Sequence, residues 1–361
     1  MTAVTLPAVP SPGSPVVPPL LTPGDRVAVV SPSWAGPGVY PAVHERGLAV
    51  LRDTLGLVPV EYPTTRAVGA SPAARARDLT AAFADPGIRA VLSTIGGDDQ
   101  IEVLAHLDPA VLTADPKPFV GYSDNTNLLN WLWFHGVAGY HGGSVMAHLG
   151  RAGGPHPVAV ASLRHALLDG GDADIVPLAG YAEHGPDWGD PAAAAVAWDT
   201  PEPGWEWLRA DRAVTGPTWG GNLEIWHWTL AADRYVHHSA HAYAGVVLLV
   251  ETSEEMPAAA EVFRMLRNAG ERGVLADCAA VLVAKAQAQE VGAPRSAAQR
   301  AAYRDAQRDA VVTALDRYAP DAVVVLGVDI GHTDPQYVLP YGGRVSVDGP
   351  ARRIVAHYGP G

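Results

Sequence analysis

The sequence predicts an α/β protein in two parts: an N-terminal parallel-sheet domain with a nucleophile at a strand-to-helix turn, and a C-terminal mixed α/β domain. Three observations predict it. Short runs of Val, Leu, Ile and Ala alternate with stretches of helical periodicity, several of these runs stop on a polar residue, and an aperiodic segment rich in Gly, Pro, Asp and Trp separates the halves. A run that is apolar at every position reads as a strand buried on both faces, and strands alternating with helices are the pattern of a parallel sheet.

The elements follow in chain order. Residues 1–20, with prolines at 7, 10, 12, 15, 18 and 19, lack the basic start and uninterrupted apolar stretch of a signal peptide, so they read as a disordered or loosely attached arm. Residues 21–166 form the first domain, with strands at Val27 to Ser31, Ala90 to Thr94 and Phe119 to Gly121 and helical patterns at His44 to Leu55 and Ala73 to Phe83. Residues 167–215 read as a connecting segment and substrate loop, in which Trp188, Trp198, Trp205 and Trp207 either stack on a planar ligand group or glue the domain interface. Residues 216–361 form the second domain, with strands at Val246 to Val250, Ala280 to Ala284 and Val323 to Leu326 and a half-solvated helix over Ser296 to Tyr318.

Composition narrows the function. A chain of 361 residues with 48% hydrophobic content can bury a large core. Its net charge of -13 leaves no basic patch to neutralise phosphates, which excludes a nucleic-acid surface. No run reaches the roughly 18 apolar residues of a membrane span. The single cysteine, Cys278, excludes an internal disulfide, fits a reducing cytoplasm and reads as a small buried hydrophobe. His237, His238 and His241 lack the second group of ligands a metal site needs and read as surface residues. G-x-G-x-x-G is absent, so no dinucleotide fingerprint and no cofactor are expected.

Three segments carry chemistry. The run closing on Gly121-Tyr122-Ser123-Asp124-Asn125-Thr126 continues as an apolar helix-like stretch from Asn127 to Phe134. A serine at such a turn projects its hydroxyl beside the free N–H groups of a helix start. The same residues also suit an ordinary helix cap, and Asn125 stands where the G-x-S-x-G elbow has its second glycine. Downstream, the apolar run through Val250 ends on Glu251, at the rim of a sheet where ligands bind. A third run leads into Gly331-His332-Thr333-Asp334. Together they supply a nucleophile, a base and a carboxylate in the order Ser123, Glu251, His332.

GYSDNT, the GPTWGGNLEI segment from Gly216 to Ile225, VETSEE and DIGHTDP resemble the LD-carboxypeptidase family of serine peptidases, and in particular its microcin C immunity branch, from about Leu21 to about Val347. The resemblance implies Ser123 as nucleophile with Glu251 and His332, an oxyanion hole from the N–H groups of Gly97 and Asp124, and a homodimer. Ile95-Gly96-Gly97-Asp98 and Val250-Glu251-Thr252 depart from the murein-recycling pattern and point to the immunity branch, whose substrates are peptidyl or aminoacyl nucleotides. On that footing Trp205 and Trp207 are expected substrate contacts, while Asp98 and Asp99, next to the glycine pair, are candidate contacts for a substrate amine. The expected chemistry is metal-free acyl transfer on a small peptide or peptidyl nucleotide. The alternatives are a murein tetrapeptide LD-carboxypeptidase, or a non-catalytic protein that binds a small ligand in its cleft.

Overall fold

The computed structural model describes residues 15–185, 187–190, 196–198, 200–201, 204–289 and 293–360. The first five strands are β1 (Arg26–Val30), β2 (Val58–Glu61), β3 (Ile88–Ser93), β4 (Phe119–Gly121) and β5 (Gly139–His141). Then come β6 (Gly171–Ile175), β7 (Gly180–Tyr181), β8 (Thr200–Pro201), β9 (Glu206–Leu208), β10 (Ala213–Asn222) and β11 (Val247–Glu251). The last are β12 (Ala280–Ala284), β13 (Val323–Val328), β14 (Leu339–Tyr341), β15 (Arg344–Asp348) and β16 (Arg353–Tyr358).

Two sheets organise the molecule. One has the order β14-β5-β4-β3-β1-β2 and is parallel except for β14. The other runs β6-β16-β15-β10-β11-β12-β13-β9, with a parallel centre from β10 to β13 and antiparallel flanks. The α/β class read from the pattern of apolar runs is the class observed.

Strand periodicity assigns each residue to a layer. Ala28 and Val30 face one apolar layer with Leu248, Val250 and Val324, whereas Val27 and Val29 face the other with Val247, Leu249 and Val325. Both layers draw on both sheets, so the core is continuous across the halves. The helix Thr126–Phe134 is apolar almost all round because it lies inside this core, where Trp131 is 1% exposed. The helix Ala297–Tyr318 starts on a Ser296 and Gln299 capping box and buries only a stripe through Gln307, Val311, Ala314 and Leu315.

Several connections depart from the expected organisation. β14 comes from the C-terminal stretch yet pairs antiparallel with β5 in the first sheet. Residues 171–175 and 206–208, read as connection, supply β6 and β9 to the second sheet, where they cover strand edges. Of the N-terminal arm, Val16 donates its N–H to Gly136 O and accepts from Ala138 N at 2.8 and 2.9 Å; residues 1–14 lie outside the described residues. His237, expected at the surface, is buried with its ring 4.8 Å from that of Phe134, because a neutral imidazole fills an aromatic gap. Cys278 is buried, and burial pushes its thiol up to about 12. No described helix is long and apolar enough to cross a membrane.

Candidate active site

Ser123 sits between β4 and the buried helix, with φ +59°, a left-handed conformation that costs a non-glycine residue about 1 kcal/mol or more. The turn is held from both sides. Asp124 is fully buried; its carboxylate accepts from Ser33 Oγ, from Gln100 N at 2.9 Å and from Asn127 Nδ2 at 2.8 Å. Burial raises its pKa against the opposing pull of those donors.

Asn125 explains the missing elbow glycine. Its Nδ2 donates to Ile95 O and Tyr122 O, both at 3.1 Å, while its Oδ1 accepts from Gln100 Nε2 at 2.8 Å. The side chain therefore ties the loop after β3 to the serine turn, a task glycine could not perform. That loop has to approach closely: a Cβ on Gly96 would lie 2.9 Å from Ser123 Oγ and 3.3 Å from Asp124 N. Arg75, itself buried, clamps the next turn through two 2.7 Å bonds to Asp99 and one of 2.9 Å to Ser33 O.

Glu251 ends β11 and is 1% exposed. Its Oε2 lies 2.6 Å from His332 Nδ1, and its Oε1 has no hydrogen-bond partner among the described residues. Gly331 makes room for this pairing, since a Cβ there would come within 3.1 Å of Glu251 Cβ. The loop carrying His332 is fixed by Gln336, which donates to Gly331 O at 2.9 Å and accepts from Gly143 N at 3.1 Å.

His332 Nε2 faces Glu254 Oε2 at 3.2 Å, and among the described residues it makes no hydrogen bond to Ser123. Burial alone would lower the imidazole pKa. The Glu251 charge and hydrogen bond, then Glu254 and Glu224, outweigh it and raise the value to about 9. His148, on the same wall, is driven down to about 4 by burial and stands neutral at pH 7.

Ser123 and His332 open into one cavity of about 510 Å³. Gly97 and Asp98 line it beside the serine, and Trp34, Tyr40 and Trp188 form an aromatic wall. The Tyr40 ring centroid lies 6.0 Å from that of Trp34 and 5.7 Å from that of Trp188, both edge-on. Across the cavity, Asp334 is held by Arg151 Nε at 2.7 Å and Trp198 Nε1 at 2.5 Å. A second cavity of about 480 Å³ touches Glu251 from behind but is lined by neither Ser123 nor His332.

The structure thus brings Ser123, Glu251, His332, Gly97, Asp124 and Asp98 together. It leaves out Trp205 and Trp207. They flank Glu206 on β9, pack partly buried against the core of the second sheet and line no part of this cavity, because pairing with β13 commits that segment to an edge strand. Among the described residues of the connecting segment, Trp188 lines the cavity. Trp228 is 46% exposed and lies beside Ser123. Glu254, Glu224 and His148 were missed as well. The second and third acids of VETSEE were the only signal for Glu254.

Comparison with known proteins identifies the family and the fold. Residues 27–142 match the family model of the LD-carboxypeptidase N-terminal domain, and residues 215–347 match that of the LD-carboxypeptidase C-terminal domain. A "putative carboxypeptidase" of Vibrio cholerae is 25% identical over 337 residues, covering 90% of this chain and 92% of its own length. The microcin C7 self-immunity protein MccF of Escherichia coli is 33% identical over 87 residues, 24% of each chain. A solved structure of MccF in complex with glutamyl sulfamoyl guanosine superposes with a TM-score of 0.80 at 21% identity, covering 95% of this chain and 98% of that one. An MccF-like protein from Bacillus anthracis gives 0.79 at 19% identity, over 95% and 99%.

Proposed function

Since the chain belongs to the LD-carboxypeptidase family of serine peptidases, we propose that Ser123, His332 and Glu251 are its catalytic triad and that it hydrolyses the acyl bond of a small aminoacyl or peptidyl nucleotide. The observation that carries the reading is the 2.6 Å Glu251 to His332 pair at the mouth of the cavity holding a strained Ser123. A binding protein has no use for an outlier backbone at a serine beside a carboxylate-oriented imidazole.

In the reaction, His332 Nε2 takes the Ser123 proton as Oγ attacks the acyl carbon, and Glu251 holds the ring and balances its charge. The negative oxygen that forms meets the N–H groups of Gly97 and Asp124, donors commonly worth about 3 kcal/mol each. The imidazolium then protonates the leaving nitrogen, and water, activated by the same ring, releases the acid. The aromatic wall of Trp34, Tyr40 and Trp188 suits a planar base, which supports a nucleotide-bearing leaving group of the kind bound by MccF.

The test is to incubate the protein and its Ser123→Ala variant with an aminoacyl-sulfamoyl adenosine and with a murein L,D-tetrapeptide, following products by mass spectrometry. The parent should release amino acid and sulfamoyl adenosine, and the variant should bind without turnover. A variant as fast as the parent would sink the triad. Cleavage of the tetrapeptide alone would move the substrate to cell-wall peptides.

A further inference from the structure

On the other side of Ser123 lies a dent of about 30 Å³, room for a single water-sized group. Asp98, Glu224, Glu254 and Glu255 line it, and no Lys or Arg among the described residues does. Two of its lining side chains are buried with an unused polar atom. Glu224 is 5% exposed; its Oε1 accepts from Ser253 N and Oγ at 2.9 and 2.7 Å, while Oε2 has no partner among the described residues. Asn222 is 1% exposed; its Oδ1 caps the helix through Ile225 N at 3.0 Å, and its Nδ2 has none. Natural proteins seldom leave such groups unmatched without a ligand or water to complete them.

We propose that this dent receives a primary ammonium on the substrate, the free α-amino group of the residue whose carbonyl Ser123 attacks. The proposal rests on the hydrolase reading above and adds its acyl-side specificity. An ammonium offers three donors and no acceptor, which suits Glu224 Oε2 and the neighbouring carboxylates; Asn222 Nδ2, itself a donor, takes no part in holding it. Glu224 and Trp228 lie one helical turn apart, so the exposed indole borders the same space and can face a cation. Size and place set the position of the amine. The dent shares Ser123 with the large cavity, so a group seated in it is adjacent to the scissile carbonyl, and it is too small for a whole side chain. The four carboxylates are not a metal cage: among the described residues no three His, Cys, Asp or Glu are arranged to hold an ion.

Glu254 links the dent to the base. It lines both spaces and now sits 3.2 Å from His332 Nε2. An arriving ammonium competes for that carboxylate and leaves Nε2 free to face Ser123, so a substrate with a free amine assembles the site as it binds.

The test compares kcat/KM for an alanyl-sulfamoyl adenosine, its N-acetyl derivative and its des-amino (propionyl) analogue, on the parent and on the Glu224→Gln and Glu255→Gln variants. Glu224→Gln retains the acceptor that holds Ser253, and Glu255 is a surface residue, so at least one variant folds as the parent does. The free amine should be preferred at least tenfold over both analogues, and each variant should cut that preference to about threefold or less. Equal turnover of the three compounds, or an undiminished preference in both variants, overturns the subsite while leaving the hydrolase intact. No turnover of any compound overturns the hydrolase reading and the subsite with it.

Discussion

Glu254→Gln should make the enzyme more active at neutral pH by removing an acidic side chain from its site. The groups facing His332 are Glu251 at Nδ1, Glu254 at Nε2, the buried Glu224, the Tyr122 ring at 5.0 Å, and His141 and His148, both kept neutral by burial. Glu254 is 65% exposed, so its attraction for the imidazolium is close to the water limit. At 3.2 Å that limit is about 1.3 kcal/mol, or about one pKa unit. The sign follows from the raised pKa. His332, near 9, is protonated at pH 7 and becomes a base only as pH rises, so weakening the charged form moves the acid limb down. Its midpoint should fall from about 9 to about 8, raising the neutral fraction at pH 7 from about one in a hundred to about one in ten. The assay is the pH profile of kcat/KM, which reports the free enzyme, with a des-amino substrate so that no substrate amine engages Glu254. A midpoint unmoved within about 0.3 unit, or moved upward, would refute the coupling.

Other substitutions test neighbouring parts of the argument. Ser123→Gly relieves the φ of +59° that Ser123→Ala retains, so the glycine variant should be the more stable of two inactive proteins by about 1 kcal/mol in urea unfolding; equal stability would mean the turn is unstrained. Trp188→Ala should raise KM for a nucleotide-bearing substrate at least about tenfold with little change in unfolding midpoint. Trp205→Ala, at the edge of the second sheet, should do the reverse, and a KM effect there would restore it to the substrate site.

What could be read from the chain depended on how local each signal was. The runs 27–30, 90–92, 119–121, 246–250 and 323–326 are apolar at every position, and that continuity betrays burial on both faces before any contact is known. Ser123, Glu251 and His332 each end such a run, so their place at a sheet rim was legible. Their hydrogen bonding was not: the contact between Glu254 and His332 spans 78 positions and leaves no periodic trace. Trp205 and Trp207 were misplaced for a related reason. A three-residue edge strand has too few positions for alternation to emerge, and indoles in an aperiodic stretch look alike whether they stack on a ligand or cover a sheet. Asn125 looked like a defect in the elbow because its value lies in reaching Ile95 O, thirty residues earlier.

The strand β14 has a consequence for how this polypeptide can be divided. It begins seven residues after His332 and completes the sheet that carries Ser123, although the family boundaries assign it to the other segment. A fragment ending near residue 142 would expose the whole length of β5 as a bare, adhesive margin, inviting strands from other molecules. Shuffling the halves between relatives would also swap that strand, so chimaeras should exchange residues 339–341 with the first segment or risk clumping before they ever meet a substrate.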